Sequence, residues 1–336
     1  MASICYLSRT AGRHDQRWVR TLRECGHSVS SYTGTSAHDL VTAARTNPFD
    51  LVVAGPLTDA ARIAVEADVG PVLGIAWGFD LLIEQRDAAV RERLRATLPR
   101  LARLHVDSHT LAREAEHLGM PASRITVAPW GIDTDLFRPG LPSPADSARG
   151  SAVTGRIVFS TRSWEPMYDV PTVVRGFAEA RQTRPDLRLV LGGQGSQAGA
   201  VRALIHELRL DDVTEVPGSM SAPEVLAWLR RSAVYVSASH SDGTSLSLLE
   251  AMAVGVPCVV SDLPSNREWV VASEVGRVFP VGDPHSLAEA IGQQLAAPRT
   301  QEAARRRREI VLTRGDWSRN RLEFLAGVEL AMREGR

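Results

Sequence analysis

The chain has 336 residues, 39 basic and 39 acidic side chains, and a formal net charge of zero. A single core usually stops growing below that length, so two domains are expected, and a net charge of zero gives no support to a nucleic-acid-binding role, which needs a clustered cationic surface. No lysine occurs anywhere, which excludes lysine-linked pyridoxal phosphate and a P-loop lysine.

Cys5, Cys25 and Cys258 are odd in number and far apart, as free thiols of a reducing compartment would be. No apolar run reaches membrane-spanning length, and the opening MASICYLSRT lacks the charged-then-apolar pattern of a signal peptide. A cytoplasmic protein is expected.

Along the chain, short apolar β-branched runs alternate with helical patterns. Strands are predicted at 3–8, 27–32, 50–55, 71–76, 103–108 and 125–130, with helices between them such as 14–25 and 58–67. The segment 86–105 reads as an amphipathic surface helix broken by Pro99, with contact to an anionic membrane as the minor alternative. The stretch 138–155 is rich in Pro, Gly, Ala and Ser without periodicity and reads as a linker. Strands resume at 156–160, 187–193, 213–218, 233–239 and 256–262, separated by helices at 170–181, 197–209, 221–231 and 245–254. After 284 the pattern is helical to the end, and the four arginines 305–308 read as a solvated helix face, with an anion site as the alternative. Strand–helix alternation repeated twice predicts two doubly wound parallel-sheet domains, with ligand at the carboxyl ends of the strands in the cleft between them.

The stretch 240-HSDGTSLSLLEAMAVGVPCVVSD-262 carries the chemistry. A strand end, a glycine turn and a new helix near Ser245 place unpaired backbone N–H groups and the positive dipole end where an anion can bind. Gly243 permits close backbone approach, and Thr244 and Ser245 add hydroxyls. Glu250 sits among Leu248, Leu249, Ala251 and Met252. A carboxylate there needs a partner if buried; the alternative is a helix capped by Asp242 or Thr244 with Glu250 facing solvent.

Asp242-Gly243, Leu248-Leu249-Glu250-Ala251-Met252 and Gly255-Val256-Pro257 together resemble the acidic-x7-Glu region of the retaining glycosyltransferases of family 4, the group 1 glycosyltransferases. Segments 125–139, 156–164, 189–196, 215–239 and 313–325 resemble further pieces of that family in order, so the likeness runs from about 125 to 325. The resemblance implies an α/β GT-B fold. Residues 1–138 would form an acceptor-binding Rossmann-like domain with a crossover helix at about 315–336 packing back on it. Residues 139–155 would be the linker, and 156–314 a nucleotide-sugar-binding domain.

The resemblance also implies roles. Glu250 would bind the ribose diol, Asp242 would lie beside the donor sugar, and Arg162 would clamp the diphosphate. Gly243, Thr244 and Ser245 would bond the sugar and distal phosphate; Gly193 would form part of the Gly-x-Gly turn, and Gly218, Ser219 and Met220 would lie along the base. No metal and no cofactor beyond the UDP- or GDP-linked sugar would be needed. Three positions depart from the family. Met167 stands where a second diphosphate-binding lysine is usual, leaving Arg267 or another arginine to supply that charge. The glycine-rich loop is reduced to Thr10-Ala11-Gly12-Arg13, and Asp242 replaces the usual Glu.

On the acceptor side, Gly12, Arg13, His14 and Trp77 are candidates, and Asp80 is a candidate acceptor contact or proton acceptor, with a helix cap as its alternative. His105 and His109 rank below it. The expectation is a retaining, metal-independent hexosyltransferase acting on a small soluble acceptor, as a monomer or homodimer. The alternatives are a nucleotide-sugar-binding protein without turnover and a sugar-nucleotide epimerase of the same fold.

Overall fold

The computed structural model describes residues 1–140 and 156–334, excepting the side chain of Arg13. The greater part of the expected linker, 141–155, thus lies outside the described residues. The chain divides into two units, one of Met1–Trp130 with the stretch from Ser318 onward, the other of Gly131–Trp317. Both boundaries differ from the expected ones. The reason lies in residues 131–137: Ile132 N–H donates to the Gly315 carbonyl and Trp317 N–H to the Ile132 carbonyl, both at 2.9 Å, and Thr134 Oγ1 bonds Asp316.

In the first unit, strands β1 (Ser3–Ser8), β2 (Ser28–Thr33), β3 (Leu51–Gly55), β4 (Val72–Ile75), β5 (Arg103–Val106) and β6 (Ile125–Val127) form one parallel sheet ordered β2-β1-β3-β4-β5-β6. Apolar runs such as Leu51-Val52-Val53-Ala54 are fully buried because helices cover both faces. One of those helices comes from the far end of the chain. Within Trp317–Glu334, Phe324, Val328 and Ala331 are fully buried, and the Phe324 ring lies 4.3 Å from that of Trp18. The segment 86–105 breaks at the proline as expected, into a helix Ala88–Thr97 capped by Asp87 and a short turn Leu98–Arg100.

The second unit holds β7 (Arg156–Ser160), β8 (Leu187–Gly192), β9 (Thr214–Gly218), β10 (Ser232–Ser237), β11 (Cys258–Ser261) and β12 (Gly276–Phe279), all parallel and ordered β12-β11-β10-β7-β8-β9. Alternation along these strands builds two cores: Val158, Leu189, Val234 and Val236 face one, while Ile157, Phe159, Val190 and Tyr235 face the other. Strand order reverses between β7 and β10, so their carboxyl ends diverge to the helices on opposite faces and leave a crevice at the edge.

Two expectations are corrected. Strand β12 was not anticipated, because Gly-Arg-Val-Phe is four residues long and opens on a glycine. The arginine run in the helix Gln301–Arg314 is not uniformly solvated. Arg305 and Arg306 are exposed, but Arg307 is 4% exposed and donates to the carbonyls of Val275, Gly255 and Glu274 at 2.6–3.1 Å. Arg308 bonds the carbonyls of Phe137, Ala253 and Thr134. Among the described residues no helix is long and apolar enough to cross a membrane.

Candidate active site

The strand reversal in the second unit brings two loops together. β7 leads into Thr161–Glu165 and β10 into Ala238–Ser245, and the two strands are hydrogen-bonded neighbours, Phe159 beside Tyr235. Arg162 bridges the loops. Its Nη2 donates to Asp242 Oδ2 at 2.7 Å, and its Nη1 donates to Ser245 Oγ at 2.7 Å and Ser247 Oγ at 3.0 Å. The Arg162 and Asp242 side chains are only 10% and 15% exposed, so this ion pair is largely shielded from solvent. Burial lowers the Arg162 pKa, but the nearby charges of Asp242, Tyr235, Tyr168 and Glu250 outweigh it, and the guanidinium stays charged. Burial raises the pKa of Asp242, opposed by Arg162, the Gly243 N–H and Ser245.

Further groups fix this pair. Tyr235 reaches across from β10 to donate to Ser247 Oγ at 2.7 Å, and burial pushes its phenol up. Ser265 Oγ donates to the Asp242 carbonyl at 2.7 Å. The Tyr168 ring lies under the guanidinium, its centroid 4.1 Å from Arg162 Cζ. Tyr235, Ser247 and Ser265 were not singled out from sequence, and Tyr168 stood out only in that the loop 162–170 resembles a family variant with Glu and Tyr in it. Two serines interrupting an apolar helix start, and a phenol inside a strand buried on both faces, were the available signals.

The helix Leu246–Val254 begins here with Ser245 as its N-cap, and Ser245 makes no side-chain cap bond because its hydroxyl faces Arg162. Gly243, Thr244 and Ser245 are all buried in the turn. Glu250 is half-buried, whereas Leu248, Leu249, Ala251, Met252 and Ala253 are fully buried. The Glu250 charge is close enough to act on Arg162 and Tyr235.

Beside this cluster, the turn after β8 packs on the Arg162 backbone. A Cβ on Gly193 would stand 2.3 Å from the Arg162 carbonyl oxygen, and Gly193 has φ +105°, so only glycine fits. Gly193 N–H donates to the Gly218 carbonyl at 2.7 Å, the Met220 side chain lies against Gly192, and Ser219 is exposed next to it. The predicted donor-side residues thus converge at the ends of β7 to β10. Arg267 does not join them: it forms a paired contact with Asp262 on the surface.

The first-unit candidates separate. Gly12 N–H donates to Asp15 Oδ2 at 2.7 Å at the start of the helix Arg13–Glu24, and the side chain of Arg13 lies outside the described residues. His14 and Trp77 are half-buried and meet Trp130 edge-on, with ring centroids 4.8 and 5.3 Å away. Asp80 is corrected. It is 0% exposed, and its carboxylate accepts from the backbone N–H groups of Leu57, Trp77 and Leu81 at 3.0–3.1 Å, so it ties two loops together and cannot touch an acceptor. Nor does it cap a helix, since the helix Phe79–Leu82 has Gly78 at that position. His105 is buried edge-on to Trp18 and Phe324, and His109 is exposed.

Comparison with known proteins agrees with this geometry. Residues 145–310 match the family described as Glycosyl transferases group 1. An exopolysaccharide phosphotransferase of Streptomyces coelicolor is 29% identical over 309 residues, 87% of this chain but 31% of that protein. A D-inositol 3-phosphate glycosyltransferase of Acidothermus cellulolyticus is 29% identical over 203 residues, 57% of this chain and 45% of the relative. The chain therefore spans less than half the length of these curated relatives. In structure it resembles Anabaena Alr3699/HepE in complex with UDP-glucose, with a TM-score of 0.81, 17% identity, and coverage of 98% of this chain and 100% of that one. Residues 145–310, within the second unit, are thus similar to the group 1 glycosyl transferases, and the two doubly wound units make up the GT-B fold of the structural neighbours.

Proposed function

We propose that the protein is a retaining glycosyltransferase that moves a hexose-type sugar from a UDP- or GDP-linked donor to a small soluble acceptor, without metal or further cofactor. The observation that carries this reading is the shielded Arg162 fork beside the N-terminus of the helix Leu246–Val254, at the strand reversal of the second unit. As the bond from the anomeric carbon to the diphosphate breaks, negative charge develops on the leaving phosphate oxygens. A guanidinium and the first-turn N–H groups of that helix, which lack intrahelical partners, meet that charge in a shielded site. Glu250, half-buried in the second turn of that helix, can accept both hydroxyls of a ribose diol. Asp242 lies beside the sugar and reaches it when a phosphate takes its place on Arg162. The bound UDP-glucose of the Anabaena neighbour supports a uridine donor, and the half-buried His14 and Trp77 offer ring faces to a sugar-like acceptor.

The test is a thermal-shift panel of UDP-, GDP-, ADP- and TDP-sugars, in which a donor at 100 times its Kd adds about 2.7 kcal/mol. Slow hydrolysis of the binding donor should survive EDTA and be abolished by Arg162→Ala or Glu250→Gln, and the released sugar should keep its anomeric configuration by NMR. Binding without turnover on any acceptor would leave a nucleotide-sugar-binding protein, and an inverted product would sink the retaining mechanism.

A further inference from the structure

We infer that Tyr168 is a positioning residue whose ring face holds the Arg162 guanidinium in the plane from which it grips a diphosphate; the inference rests on the donor-binding reading above. Four of the five N–H donors of Arg162 lie on its Nη atoms, and these engage Asp242, Ser245 and Ser247 along one edge. The Nε–H is buried without a hydrogen-bond partner. The side chain therefore has its cation shielded, one donor unused, and an acidic neighbour pulling on one end. A second contact is needed to stop the fork from tilting toward Asp242.

The Tyr168 ring supplies that contact at 4.1 Å from Cζ. The ring face attracts the cation from above its plane, and the phenol hydroxyl adds a hydrogen-bonding contact with the same guanidinium. A carboxylate in that position would neutralise the arginine instead.

The turn that carries the ring is tied to its surroundings. The Tyr168 N–H donates to the Glu165 carbonyl at 2.9 Å, closing the short turn Pro166–Tyr168. His240 N–H, from the loop that also carries Asp242, donates to the Met167 carbonyl at 2.8 Å. Glu165 accepts from Ser196 N–H at 2.9 Å, tying the turn to the loop after β8. Asp169 then takes a left-handed conformation, φ +42°, and caps the helix Val170–Thr183 through Thr172 N–H. A turn braced from the ends of β8 and β10 presents a single side chain to the guanidinium face.

The experiment compares Tyr168→Phe, which keeps the ring, with Tyr168→Leu and Tyr168→Met, which fill similar space without a π face. Affinities for UDP, inorganic pyrophosphate and uridine are measured by calorimetry, and folding is checked by thermal melting. The Leu and Met variants should bind UDP and pyrophosphate about tenfold more weakly, the loss of a shielded cation–π contact. Phe should stay within about twofold of wild type, and uridine binding should not change. The donor KM in hydrolysis should rise in parallel. Unchanged pyrophosphate affinity in both aliphatic variants, a Phe variant as weak as Leu, or an equal loss for uridine would each overturn the inference. A wild-type protein that binds none of UDP, GDP, ADP or TDP would instead overturn the donor-binding reading, and this one with it.

Discussion

Asp80 and His105 both sit fully buried in the first unit, and burial moves their pKa values in opposite directions. Burial raises Asp80 to about 6, against the lowering effect of the N–H groups of Leu57, Trp77 and Leu81. Burial lowers His105 to about 4. For Asp80 the folded state holds the proton more tightly than the unfolded chain, so its contribution is present below about pH 4 and is lost as pH rises toward 6. For His105 the unfolded chain holds the proton more tightly, so its contribution is present above about pH 6.5 and is lost as pH falls toward 4. Each shift of about two units corresponds to about 3 kcal/mol, and the two windows overlap with opposite slopes. The wild-type unit should therefore show a nearly flat stability between pH 4 and 6.5. Asp80→Asn should unmask a loss of about 3 kcal/mol on acidification, and His105→Gln a comparable loss on going from pH 4 to 6.5. Urea titrations at several pH values decide this; parallel pH profiles for both variants and wild type would refute it.

The helix Gln301–Arg314 shows how one element can be misread from its composition. Four consecutive arginines look alike in a sequence, but a helix turns 100° per residue and gives each a different surrounding. Arg307 falls where the helix Leu246–Val254 ends, and its fork satisfies the Gly255 carbonyl and those of Val275 and Glu274 together. Arg307→Lys retains the charge but cannot reach three divergent carbonyls, and Arg307→Met leaves all of them dry. Both should destabilise the second unit by about 3 kcal/mol, since buried carbonyls lose charged donors. Arg305→Ala, at an exposed position on the same run, should change stability by no more than about 0.5 kcal/mol. Guanidinium unfolding followed by circular dichroism measures the difference; equal effects at 305 and 307 would show that burial of Arg307 contributes nothing. The same logic explains what was legible at the site. Asp242, Gly243 and Glu250 stand in a glycine turn and a helix start that a local pattern marks, and Arg162 stood out through the likeness of its strand end to the family. Tyr235 and Ser265 act through pairings with Ser247 and Asp242 on other elements, which no local pattern encodes. Asp80 was misread because one carboxylate in a loop looks the same whether it faces solvent or three backbone N–H groups.

At the scale of the molecule, eleven of the twelve strands among the described residues were readable because parallel strands covered on both faces are continuous apolar runs. The boundaries were less readable, since residues 131–137 and 315–317 belong together through a few backbone bonds without compositional trace. The division has a consequence for autonomy. The second unit is one continuous stretch, Gly131–Trp317, with its own sheet and both of its cores. The first is discontinuous, and its sheet is completed by Phe324, Val328 and Ala331 from the last helix, all fully buried. Removing that helix strips the cover from Trp18, which is 1% exposed. Losing a buried phenylalanine alone costs about 3–5 kcal/mol, a large part of the roughly 5–15 kcal/mol that holds a domain together. Residues 131–317 expressed alone should therefore melt cooperatively and bind the same nucleotide sugar as the whole protein. Residues 1–130 alone should lack a sharp transition, and should regain one when joined through a glycine-rich linker to residues 318–334. Circular dichroism melts of the three fragments, with the donor panel repeated on 131–317, check this. A sharp melt for 1–130 alone would show that the last helix is dispensable, and donor binding lost from a folded 131–317 would mean that the first unit supplies part of the nucleotide site.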